Sequence, residues 1–137
     1  MPSLPSLFAL LVLDPSLARR RLAVAFSLFA AIIALGSIPG ARAEIGNFAS
    51  GLILHGLAYA GICTLLFTGY RGSAGRRAVA AVLTVAVMGA LDELVQSFLP
   101  YRHGAVGDWM VDVSAATLAA MLLWTFLPRS SASRPPA

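Results

Sequence analysis

The sequence predicts an all-α integral membrane protein, a bundle of four transmembrane helices. Three observations lead there. Hydrophobic residues make up 58% of the 137, and the mean hydropathy of +0.81 exceeds what an ordinary soluble domain carries. Four apolar stretches, residues 22–38, 49–68, 78–99 and 109–127, each approach the roughly 20 residues that a bilayer core requires. All ten basic residues are arginines, and they gather in short clusters beside these stretches, where they act as topology signals.

Taken in order, residues 1–21 form a cytoplasmic or interfacial lead. Its apolar run, residues 4–13, is too short to span and is bracketed by Pro5 and Pro15. Arg19, Arg20 and Arg21 precede the first span, and Pro39 and Gly40 follow it. Ala41, Arg42 and Ala43 before Glu44 imitate a secretory cleavage site, but the apolar run exceeds the 7 to 15 residues typical of a signal peptide, so the segment reads as a retained span. Between the second and third spans, Gly69, Gly72 and Gly75 spell a flexible turn without the features of a phosphate-binding loop. Pro100 closes the third span and Pro128 the fourth. Residues 128–137, rich in Ser, Pro and Ala, have nothing to bury and read as a disordered tail. The membrane domain is thus residues 22–127.

Orientation follows from the arginines. Arg19, Arg20 and Arg21, then Arg71, Arg76 and Arg77, then Arg129 and Arg134 mark one side, against Arg42 and Arg102 on the other. Both termini are then cytoplasmic, in a multi-pass membrane protein. The net charge of +4 is accounted for by these clusters, so no nucleic-acid partner is expected. Cys63 is the only cysteine, which excludes an intrachain disulfide and a multi-cysteine metal site.

The acidic residues concentrate the functional signal. Of six in the chain, Asp92, Glu93, Asp108 and Asp112 lie in or beside apolar stretches. A charge there costs roughly 2.5–3.5 kcal/mol on insertion scales, so it faces a partner or a wet cavity. Glu93 and Gln96, three apart, share a helix face, as do Asp108 with Asp112 and His55 with Tyr59, each one turn apart. Asp92 is rotated about 100° from Glu93. All these pairs fall toward the outer leaflet, with Arg102 in the short outer loop near enough to pair with any carboxylate. Glu93, Asp108 and His55 are the candidate acid/base residues; Arg102, Gln96, Tyr59 and Asp112 are the candidate ligand-binding residues. His55 opposite carboxylates suits proton transfer or metal ligation, but no ligand spacing is diagnostic of a metal, and no cofactor is indicated. Against this stands a structural reading, in which Gln96 and Tyr59 are interhelical glue. Trp109 and Trp124 read as interfacial anchors, and Gly56, Gly61, Gly89, Ser114, Ala115 and Ala119 as close-packing positions.

The string from Asp92 through Arg102, followed by Asp108, resembles the signature of the VanZ-like family: Glu, two residues, Gln, any, Phe, any, Pro, any, Arg, five residues, Asp. His55 and Tyr59 match that family's upstream His and Tyr. Departures are Gly51 and Leu52 where the family often has Asp-Lys, Asp112 where it often has Asn, and Ala115 in place of a Gly. The missing Lys removes a cation from the cluster. The resemblance covers about residues 22–127 and implies a small polytopic bacterial membrane protein, linked through the founding member to teicoplanin (glycopeptide) resistance.

Two functions follow as expectations. One is an envelope binding or protective module whose outward cluster engages a membrane lipid, a lipid-linked cell-wall precursor or a glycopeptide, with Arg102 on an anionic head group. The other is a membrane-embedded enzyme with Glu93 or Asp108 as base, His55 as proton shuttle and Arg102 stabilising negative charge. A proton-coupled transporter is disfavoured by the near absence of ionisable groups in the inner halves of the spans. The Gly- and Ala-rich faces would allow a homo-oligomer.

Overall fold

The structure is a computed structural model that describes residues 12–40 and 51–127. The lead before residue 12, the Ala41–Ala43 motif, Arg42 and the tail beyond residue 127 lie outside the described residues. Among the described residues four α-helices make up the fold: α1 (Ala18–Gly36), α2 (Gly51–Gly69), α3 (Ala74–Ser97) and α4 (Val106–Phe126).

Local chemistry sets the helix limits. Before α1, the Asp14 side chain accepts from the Ser16 N–H at 2.8 Å and starts a 3-10 turn at Pro15–Leu17. That turn runs directly into α1, so Arg19, Arg20 and Arg21 form its first turn instead of preceding it. The Gly-rich turn is shorter than the sequence suggests, because Ser73 caps α3 through the Arg76 N–H and draws Arg76 and Arg77 into the helix. Gly72 sits at φ +115° in that turn, a conformation only glycine adopts readily.

Three helices, α2, α3 and α4, are long and apolar enough to cross a membrane. In α1 the arginines leave residues 22–36 free of charge, about 22 Å of helix at 1.5 Å per residue, against a hydrocarbon core of roughly 30 Å. The outward surfaces are predominantly apolar: Leu57, Phe98, Val106 and Phe126 are all more than two-thirds exposed. A helix apolar on all sides belongs in a nonpolar solvent. All five threonines, Thr64, Thr68, Thr84, Thr117 and Thr125, return their hydroxyls to the carbonyl four residues back, which satisfies them without water.

The core forms around α2. Tyr59, Ile62, Cys63, Leu66 and Phe67 pack with Ala81, Val85 and Met88 of α3, Ala116 and Ala120 of α4, and Ala25 of α1. Small residues set the spacing. A Cβ on Gly69 would stand 2.7 Å from Leu22 Cγ and 3.1 Å from the Ala18 carbonyl, so the end of α2 lies directly on the start of α1. At the other end, Arg102 donates to the Gly36 carbonyl at 3.0 Å, and Tyr101 donates to the Ser37 carbonyl. Consecutive helices therefore run antiparallel, and α1 extends the full length of α2.

The two ends differ chemically. At the α1 start, buried Arg21 donates to the Thr68 carbonyl at 2.8 Å, and the Arg77 guanidinium lies 4.7 Å from the Phe67 ring centroid. The opposite end holds Asp92, Glu93, Asp108 and Asp112.

Candidate functional site

At that acidic end, α3 presents two polar faces. Asp92 and Gln96, four residues apart, are both buried and turn toward α1 and α2. Glu93, one position on, turns toward the start of α4, where its Oε2 accepts the Ala105 N–H at 2.5 Å. Ala105 is the N-cap of α4 and has no capping side chain, so Glu93 supplies from another helix the anionic acceptor that the helix terminus favours.

The expected residues divide into two groups. The first comprises His55, Glu93 and Asp112. Asp112 is fully buried, and its Oδ1 lies 3.1 Å from His55 Nδ1. Glu93 joins them: one donor atom from each of the three lies within 4.8 Å of the others. Asp108 occupies the first turn of α4, one turn above Asp112. Close helix approach makes this grouping possible, since a Cβ on Gly89 of α3 would stand 3.0 Å from Asp112 Oδ2.

The second group is Arg102, Gln96, Tyr59 and Asp92. Arg102 donates to Gln96 Oε1, and the Tyr59 hydroxyl donates to Asp92 at 3.2 Å. The His55 and Tyr59 rings stack at 6.1 Å, linking the groups along α2. A cavity of about 240 Å³ opens here, with His55, Tyr59, Asp92, Gln96 and Arg102 at its polar end and Ile32, Leu35, Leu54 and Ala58 among its apolar walls.

The sequence places Arg102 near enough to pair with any of the carboxylates; in the structure its guanidinium instead bonds the Gly36 carbonyl and Gln96. The α3–α4 loop carries it toward α1, whose C-terminal carbonyls attract a cation, while Glu93 lies on the α4 side of α3. His103 is exposed. Trp109, read as an anchor, donates its indole N–H to the Ala86 carbonyl at 2.9 Å and ties α4 to α3. Asp92 is the site residue that the pairing argument passed over. Its i,i+4 relation to Gln96 carried the signal.

Chemically, the site offers a guanidinium in the lining of a largely apolar cavity, and beside it an imidazole oriented by a buried carboxylate. No family model matches the chain, and neither a curated protein nor a solved structure matches it.

Proposed function

We propose that this chain is a four-span, VanZ-like protein of the bacterial inner membrane that binds an anionic amphiphile of the envelope at the extracytoplasmic end of the bundle. The observation that carries the reading is the cavity, apolar along α1 and α2 and lined in its polar part by Arg102 and Gln96. Apolar walls suit an acyl or polyprenyl chain, and a guanidinium suits a phosphate or carboxylate head group. At about 240 Å³ the cavity accommodates only part of such a ligand, leaving the remainder in the bilayer. The fourth span is favoured by α1 lying along the full length of α2, with arginines at its cytoplasmic start. The VanZ-like resemblance makes protection against teicoplanin the corresponding phenotype.

Native mass spectrometry of the full chain in detergent tests this reading, with undecaprenyl phosphate and phosphatidylcholine as competing probes. The expected result is preferential retention of the phosphate lipid, reduced about tenfold in Arg102→Gln, as loss of one charge-assisted contact of about 1.5 kcal/mol implies. Equal retention of both lipids, or no effect of Arg102→Gln, refutes it.

A second reading, a membrane-embedded acid/base enzyme, draws on the His55–Asp112 pair, because a carboxylate on one ring nitrogen orients imidazole for proton transfer at the other. It requires a product from the bound lipid, with turnover lost in Glu93→Gln while affinity is kept.

A further inference from the structure

The geometry points to a divalent transition-metal site formed by His55 of α2, Glu93 of α3 and Asp112 of α4. It is independent of the amphiphile reading: of the three residues, only His55 lines the cavity.

The first observation is geometric. One donor atom from each residue falls within 4.8 Å of the others, and the His55 Nδ1 to Asp112 Oδ1 distance is 3.1 Å. Two ligands each about 2.1 Å from zinc lie about 3.0–3.4 Å apart at angles from 90° to tetrahedral. The His–Asp edge already has that length. The other two separations, each at most 4.8 Å, need to contract by no more than about 1.4 Å on binding, a movement available to the half-buried Glu93 side chain.

The second observation is unsatisfied valence. Asp112 is fully buried, yet its Oδ2 has no hydrogen-bond partner, and the buried Oε1 of Glu93 has none either. An unpaired buried carboxylate oxygen is costly, and the cost is removed by a proton or a cation. Asp112 Oδ2 lies against Gly89 of α3, one turn before Glu93, so both orphan oxygens belong to the same α3–α4 seam.

Charge favours the cation. Asp92, Glu93 and Asp112 share this end of the bundle, while Arg102 is engaged with Gly36 and Gln96. The positive N-terminal end of α4 opposes a cation, but the Ala105 N–H there is already taken by Glu93 Oε2. One imidazole and two carboxylates match a zinc-type ion better than the all-oxygen shell of Mg²⁺ or Ca²⁺.

The test is calorimetric titration of Zn²⁺ into the full, tag-free chain in detergent, supported by Co²⁺ absorption spectra. One ion per chain is expected. Asp112→Asn and Glu93→Gln should each weaken binding at least about tenfold, while Arg102→Gln and His103→Gln should leave it unchanged. Because Asp112 is fully buried, the half-buried Glu93→Gln carries the result if Asp112→Asn does not fold. The site is refuted if the wild-type chain takes up no stoichiometric Zn²⁺, or if folded Glu93→Gln binds as tightly as wild type. Loss of lipid retention in Arg102→Gln with zinc uptake intact would separate this site from the amphiphile site.

Discussion

Replacing Gly89 by alanine tests whether the α3–α4 seam is packed as closely as the site requires. A Cβ there would meet Asp112 Oδ2 at 3.0 Å and Trp109 Cδ1 at 3.1 Å. Neither neighbour yields easily: Trp109 is held by its bond to the Ala86 carbonyl at 2.9 Å, and Asp112 by His55. The helices must separate or the His55–Asp112 contact must break, an overpacking cost of about 1–3 kcal/mol. Alanine also gains about 1 kcal/mol of helix propensity over glycine. The control is Gly61→Ala, where nothing lies within 4 Å of the added Cβ. Both variants share the propensity gain, so Gly89→Ala should be less stable than Gly61→Ala by about 1–3 kcal/mol. Unfolding by SDS from bicelles, followed by circular dichroism, measures the difference. Variants within about 0.5 kcal/mol of each other, the spread typical of unconstrained positions, would refute the packing argument.

Tyr59→Phe removes the donor to Asp92, which is 1% exposed, and should destabilise the bundle by about 1–2 kcal/mol in the same assay. Tyr70→Phe should cost less, because its partner Thr84 also bonds the Ala80 carbonyl. Cys63 is fully buried and donates to the Ala116 carbonyl at 3.2 Å, so a maleimide should label it only after unfolding; rapid labelling of the native protein would contradict the packing around α2. The hydrogen bonds from Ser16 hold the Asp14 carboxyl below the ordinary aspartate range. A lowered folded value means the turn is supported above the unfolded value of about 3.9 and loses that support as pH falls through the folded one. The protection factor of the Ser16 amide, its exchange rate corrected for the intrinsic pH dependence, should therefore fall in that acid window and stay flat above it.

The acidic end and its residues were legible because ionisable groups in apolar stretches are rare enough to stand out singly. Their partners were not. Glu93 with Gln96 and Asp92 with Gln96 both satisfy helical spacing, and choosing between them needs the rotation of α3 about its axis. That rotation is set by contacts such as Gly89 against Asp112 and Trp109. Arg102 had several carboxylates within apparent reach, but the loop delivered it to the free carbonyls of α1, a partner that no side-chain count registers. The early start of α3 was readable in principle from Ser73, whose capping role outweighs the glycines around it.

Hydropathy and charge placement act residue by residue, and so the sequence alone determined the helical class, the apolar segments and the polar inventory. Which side chains meet depends on helix rotation and separation, quantities fixed jointly by contacts between distant segments. Only the tertiary structure could divide that inventory into an arginine-headed cavity and a His55–Glu93–Asp112 group that meets it at His55.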